Sequence, residues 1–156
     1  MRRVLVRLDR CIGCRSCEIA CVRQHLEEYD EPHARPSAVP RIRVEGGPLE
    51  RTGNEGHEDI HPHRHLSKSL VVLCQHCDEP GCVEACTAGA LVKQPDGTVR
   101  HIPELCTACL MCLDACSYGA IYQEPTGNTV VKCDLCAGKE TPACVESCAV
   151  EALYLE

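Results

Sequence analysis

The sequence predicts an α+β fold built from one small repeated unit, and three observations carry that prediction. Sixteen cysteines fall into four groups of four, and every group closes with the same C-x3-C step: Cys17 to Cys21, Cys82 to Cys86, Cys112 to Cys116 and Cys144 to Cys148. Three of the groups then run through the same passage from helical turn to strand: Cys86-Thr87-Ala88-Gly89-Ala90-Leu91, Cys116-Ser117-Tyr118-Gly119-Ala120-Ile121 and Cys148-Ala149-Val150-Glu151-Ala152-Leu153. Repetition at this level marks an internal repeat. Finally, there is no Phe, no Trp and only four Tyr, so the side chains that dominate ordinary cores are missing.

The elements follow in order. Val4, Val6 and Leu8 alternate with Arg3, Arg7 and Asp9, the period of a half-buried strand. In each cysteine group the last two members stand at i and i+4, one helical turn apart on the same face. Between Cys21 and Cys74 lie 52 residues with no cysteine and six of the eight histidines, an inserted loop region. Inside it, Arg41-Ile42-Arg43-Val44-Glu45 alternates and stops at Gly46-Gly47-Pro48. Ala90-Leu91-Val92-Lys93 and Thr98-Val99-Arg100-His101-Ile102 flank Asp96-Gly97 as a hairpin. The arrangement recurs with Ala120-Ile121-Tyr122-Gln123 and Thr129-Val130-Val131-Lys132 about Gly127-Asn128, and Ala152-Leu153-Tyr154-Leu155 makes a last strand.

The spacing decides the chemistry. Cys11-Cys14-Cys17-Cys21 and Cys106-Cys109-Cys112-Cys116 have the C-x2-C-x2-C-x3-C run that wraps a 4Fe-4S cluster with three thiolates and sends the fourth to a neighbouring cluster. Zinc sites use separated C-x2-C pairs and do not need three ligands within seven residues followed by a fourth at a fixed offset. A disulfide scaffold belongs to secreted chains, whereas Met1-Arg2-Arg3 leads into only a short apolar alternation and no signal-peptide stretch. The expected location is the reducing cytoplasm. No run approaches the roughly 18 apolar residues of a spanning helix, so no membrane anchor is expected. The formal charge is -7, and four clusters at about -2 each bring it to about -15, which excludes nucleic acid as a natural partner. Clusters standing in for the aromatic core make metal binding a folding free energy.

The chain resembles the four-cluster ferredoxin-type electron-transfer subunits of molybdenum and tungsten oxidoreductases, formate and carbon monoxide dehydrogenases and hydrogenases, typified by the iron-sulfur subunit of dimethyl sulfoxide reductase. The first and third groups carry the resemblance, together with Cys74-Gln75-His76-Cys77-Asp78-Glu79-Pro80-Gly81-Cys82-Val83-Glu84-Ala85-Cys86, Lys132-Cys133-Asp134-Leu135-Cys136 and Pro142-Ala143-Cys144-Val145-Glu146-Ser147-Cys148. It implies a ferredoxin-like fold of two interleaved two-cluster modules: residues 1–24 with 124–156, and an inserted second module, 70–123. Residues 25–69 are then an inserted docking loop. It also implies the ligand sets: Cys11, Cys14, Cys17 and Cys148; Cys21, Cys133, Cys136 and Cys144; Cys86, Cys106, Cys109 and Cys112; and Cys74, Cys77, Cys82 and Cys116. In that order the Cys11 and Cys74 clusters stand at the two ends of the relay.

The implied role is non-catalytic: single electrons pass between a catalytic subunit of the tungsten or molybdenum pterin type and a second, flavin- or ferredoxin-linked redox partner. A weaker likeness to the small ferredoxin-like subunits of tungsten aldehyde oxidoreductases points to aldehyde oxidation. A free, diffusible polyferredoxin is the rival reading, and head-to-tail self-association through the two ends is a further expectation. No phosphate loop, flavin or pterin signature, or nucleophile and base constellation is visible.

The family places Pro after the last cysteine of a group, and here Val22, Thr87, Ser117 and Ala149 stand there. Each restores an N–H, which either points at sulfur and raises the potential or meets solvent or a helix carbonyl. Thr107-Ala108 replaces the usual Ile-Gly, so the third loop is expected to be slightly reshaped. His61, His63 and His65 alternate in a Pro-broken loop as candidate metal ligands or as plain solvated residues. His76 is expected to set local charge and hydrogen bonding rather than to ligate.

Overall fold

Every strand that the alternations predict finds an antiparallel partner, and the result is four two-stranded ribbons rather than one sheet. The computed structural model describes residues 2–27, 39–46 and 69–156. His61, His63 and His65 lie outside the described residues.

Strand β1, Val4–Val6, pairs with β8, Leu153–Leu155, in the register Val4↔Leu155 and Val6↔Leu153. Arg3 and Glu156 exchange both backbone hydrogen bonds, at 3.0 and 2.9 Å, and extend the ribbon outward. The strand stops short of the expected Leu8: Arg7 N–H reaches Ala152 O at 2.7 Å, beyond which β8 offers no further residue, and Leu8 is 56% exposed. Helix α1, Ser16–Glu27, carries both Cys17 and Cys21 and continues past Val22, where a Pro would have interrupted it.

Strand β2, Ile42–Glu45, buries Ile42 and Val44 and turns Arg43 and Glu45 outward. Its partner β3, Leu70–Leu73, is an apolar run without the alternation that marks the other strands. Glu18 of α1 accepts the Val44 N–H at 2.6 Å and ties this ribbon to the helix. Within the span 25–69, the structure thus describes the end of α1 and the strand β2.

Strands β4, Leu91–Lys93, and β5, Val99–His101, form the first expected hairpin. Asp96 accepts hydrogen bonds from Thr98 N–H at 2.9 Å and Thr98 Oγ1 at 2.7 Å, an Asx turn closed by Gly97 N–H to Gln94 O. A single 3-10 turn follows over Pro103–Leu105. Strands β6, Ile121–Gln123, and β7, Val130–Lys132, form the second hairpin. That hairpin crosses residues 123 and 124, so it physically joins the two expected modules.

The helices α2, Gly81–Glu84, α3, Met111–Asp114, and α4, Ala143–Glu146, are single turns. They carry the third cysteine of their group and end before the fourth, unlike α1. The fourth still bonds back onto the turn: Cys86, Cys116 and Cys148 donate N–H to Val83, Leu113 and Val145 O at 3.1, 3.2 and 3.1 Å. Three residues later the chain turns left-handed at Gly89, Gly119 and Glu151, with φ of 67°, 57° and 50°. A second left-handed position recurs two residues after the first cysteine of each group, at Gly13, His76, Ala108 and Leu135, with φ of 68°, 47°, 52° and 58°. Ala108 therefore keeps the loop conformation of Gly13, and the expected reshaping of the third loop does not occur.

Helix α1 packs against α4, and α2 against α3. Two small cores result. One gathers Val4, Ile42, Val44, Leu73, Leu135 and Leu153 with Cys17, Cys21 and Cys144; the other gathers Leu91, Ile121 and Val130 with Cys112. Tyr122 is the one buried aromatic among the described residues, and the Arg43 guanidinium lies 3.6 Å above its ring. Among the described residues no helix is long and apolar enough to cross a membrane.

Two stability tests follow. Val4 is 1% exposed, so Val4→Ala removes two buried methyl groups at a cost of about 2 kcal/mol. The anaerobically reconstituted protein should melt roughly 4–8 °C lower. Leu8→Ala, at a solvent-facing position, should leave melting unchanged. Glu151→Gly relieves a left-handed residue where Gly89 and Gly119 occupy the equivalent places, and should stabilise by about 1 kcal/mol. Equal or lower melting of that variant would show that the turn carries no strain.

Candidate metal centres

The left-handed residue inside each cysteine loop curls the backbone round a common centre, and the packing of the helices then delivers a fourth sulfur from another group. Cys11, Cys14, Cys17 and Cys148 line one cavity. Cys86, Cys106, Cys109 and Cys112 line a second.

Several of the remaining thiols are raised by burial and by one another. Burial raises the Cys82 thiol, Lys132 opposes the rise, and Cys74, Cys116 and Cys77 reinforce it. Burial likewise pushes Cys144 up to about 12, with Cys21, Cys136 and Cys17 adding to it. Cys133 is raised by burial, with Cys74 and Cys144 among its neighbours. Cys148 and Cys86 each stand beside three cysteines of another group, where α1 packs against α4 and α2 against α3.

Burial pushes Cys17 up to about 12, helped by Glu18, Cys14 and Cys11, and Cys112 up to about 11, helped by Cys86, Cys106 and Cys109. Four converging sulfurs repel one another as thiolates and need a cationic centre among them.

A buried histidine fits the same conclusion. His76 is fully buried between Cys74 and Cys77, and its Nδ1 accepts the Val99 N–H at 2.9 Å. Burial, with Lys132 and Lys93 nearby, pushes its pKa down to about 4, so the ring is neutral and Nε2 carries the proton. That N–H has no acceptor among the described residues, and a cluster sulfur would supply one.

Backbone N–H groups already reach several sulfurs: Ala120 to Cys116 at 3.4 Å, Ala152 to Cys148 at 3.2 Å, Arg41 to Cys21 at 3.3 Å and Leu135 to Cys133 at 3.4 Å. The donors at Cys116 and Cys148 sit four residues after the cysteine, not one. Of the residues that replace Pro, Val22 lies within α1 and Thr87 donates to Ala85 O at 3.2 Å, so neither N–H serves a sulfur.

Positive charge stands between the loops. Lys93 Nζ donates to His76 O, Cys77 O and Gly97 O at 2.9, 2.5 and 2.9 Å. Lys132 Nζ, in a side chain that is 3% exposed, donates to Val99 O at 2.5 Å and Cys133 O at 2.7 Å. Asp134 is gripped by Arg41 at 2.5 Å and His25 at 3.2 Å. Burial opposes charge on both Asp134 and His25, but their pairing wins: Asp134 is held well below the carboxylate range and His25 is raised to about 10. Sequence reasoning missed this triad. Its one signal is that His25 follows Cys21 by four residues, one turn further along the helix than the cysteine spacing requires. The largest cavity among those described, an open cleft of about 470 Å3, is bounded by Arg41, Arg100, Lys132 and Asp134 and has no cysteine in its walls.

Cys74 lies close enough to Cys133 to raise it, and Cys74 is buried. The exposed cysteines are Cys14 and Cys109. On the β5 edge Val99 N–H and C=O are bonded to His76 and Lys132, which draws the Cys74 loop towards Cys133.

The 4Fe-4S dicluster domain matches residues 68–156. A component of the anaerobic dimethyl sulfoxide reductase of Escherichia coli K12 is 32% identical over 149 residues, covering 93% of this chain and 68% of the relative. A component of the tetrathionate reductase of Salmonella typhimurium is 32% identical over 149 residues, covering 93% of this chain and 53% of the relative. The iron-sulfur subunit of the nitrate-inducible formate dehydrogenase of Escherichia coli K12 is 28% identical over 160 residues, covering 96% and 52%. Four cysteine loops with one left-handed position in common, and a match that spans nearly the whole sequence, lead to one assignment: the chain belongs to the 4Fe-4S dicluster family of ferredoxin-type iron-sulfur subunits.

Proposed function

We propose that this chain holds four 4Fe-4S clusters and relays single electrons within a cytoplasmic oxidoreductase complex, between a tungsten or molybdenum pterin subunit and a second redox partner. The observation that carries the proposal is the exchange of the fourth sulfur. Cys148 stands with Cys11, Cys14 and Cys17, Cys21 with Cys144 and Cys136, Cys86 with Cys106, Cys109 and Cys112, and Cys116 with Cys74, Cys77 and Cys82. Ligands shared in this way force centres into adjacent pairs, and closeness is what transfer between centres requires. When bound, the clusters supply reversible one-electron carriers. The chain's own residues position them, exclude water from the buried sulfurs and tune them through N–H donors and nearby cations. The related chains that are subunits of dimethyl sulfoxide, tetrathionate and formate enzymes support a catalytic partner of that kind. The narrower likeness to tungsten aldehyde oxidoreductases favours an aldehyde as the reductant.

The anaerobically purified protein should be brown and hold about sixteen iron and sixteen acid-labile sulfide per chain. Stoichiometric zinc without sulfide contradicts the reading. Cys148→Ser should alter the paramagnetic signal of the cluster served by Cys11, Cys14 and Cys17, although it lies at the other end of the sequence. Damage confined to the Cys133, Cys136 and Cys144 cluster would overturn the ligand sets. In native extract the chain should elute with a larger catalytic partner; elution alone at 17.1 kDa would make it a diffusible carrier instead. The same column tests head-to-tail self-association, which would join the Cys11 end of one copy to the Cys74 end of the next.

A further inference from the structure

Lys132 is a buried cation with no anionic partner. Among the described residues its ammonium meets only carbonyl oxygens, Val99 O and Cys133 O. The adjacent carboxylate, Asp134, is already committed to Arg41 and His25. A lone buried cation is costly to desolvate, and carbonyl dipoles repay only part of that.

The position of Lys132 supplies the missing anions. Its two carbonyl bonds run to β5 of one expected module and to a cysteine of the other, so the ammonium sits where the two meet. Cys133 O is one of its acceptors, and Val99, which supplies the other, donates its N–H to His76 Nδ1, between Cys74 and Cys77. On the four-cluster reading, each neighbouring centre carries about two negative charges.

We propose that Lys132 is the counter-cation of the junction between the Cys74–Cys77–Cys82–Cys116 cluster and the Cys21–Cys133–Cys136–Cys144 cluster, and that it holds up the reduction potentials of both. It is a positioning residue for electrons: by favouring the reduced form of these two centres together, it keeps the step between modules level. The inference rests on the proposed cluster assignment.

The test is Lys132→Met, which keeps most of the stem and removes the charge, followed by redox titration with electron paramagnetic resonance. With iron and sulfide retained, the reduction equilibrium of both of these clusters should fall about tenfold, for a charge acting at about 10 Å in a protein interior. For one electron that is about 59 mV downward. The Cys11 and Cys106 clusters should shift far less. No shift, a shift of only one of the two, or an equal shift of all four would overturn the proposal while leaving the four-cluster reading intact. Wild-type protein without labile sulfide would overturn that reading itself. Two further variants cover a failure of the Met variant to assemble. Lys132→Gln keeps N–H donors without charge and should behave as the uncharged case, and Lys132→Arg should restore the potentials. A Gln variant with wild-type potentials would assign the role to hydrogen bonding and sink the electrostatic proposal.

Discussion

Mutual repulsion among converging thiolates is the constraint on which the rest of this molecule depends. Sixteen cysteines, most of them buried or half-buried, are brought into sets from distant stretches of chain, and burial pushes several of them towards 11 or 12 as free thiols. Such sets are stable as thiolates only around a positive metal centre. The chain has no aromatic core to fall back on, and its two apolar clusters are small and lined with the same cysteines. Folding, cofactor binding and conduction are therefore one arrangement seen from three sides.

That arrangement is closed by a few backbone-level devices. The β1 with β8 ribbon ties the two ends of the sequence together, which is how Cys148 comes to stand beside Cys11. The β6 with β7 ribbon passes from one expected module to the other, and Lys132 at its end bonds to both. Arg41, Asp134 and His25 pin β2 to the fourth loop and to α1. Cations thus recur where negative centres are expected to approach, although the chain as a whole is acidic.

The cysteine groups, both hairpins and the first and last strands are legible in the sequence because short-range spacing and alternation encode them. The run Leu70–Leu73 gives no alternation to read, since a fully apolar strand has no period, and its partner lies far back in sequence at Ile42–Glu45. Ala108 looks like a disturbance of the third loop, yet alanine adopts the left-handed conformation at modest cost where the surrounding ligands require it. The N–H donors to Cys116 and Cys148 come from Ala120 and Ala152 rather than from Ser117 and Ala149, because the left-handed turn at Gly119 and Glu151 swings the later residue back over the sulfur. The approach of the Cys74 loop to Cys133 escapes the sequence for a tertiary reason: the outer edge of β5 holds His76 and Lys132 at once, and no local pattern announces that contact.

Anomalous diffraction at the iron edge from anaerobically grown crystals tests the central claim most directly. The account predicts four compact four-iron centres, each enclosed by sulfurs from two cysteine groups. Iron enclosed by the four cysteines of a single group, such as Cys11, Cys14, Cys17 and Cys21, or the absence of an iron signal at these sulfurs, would contradict it.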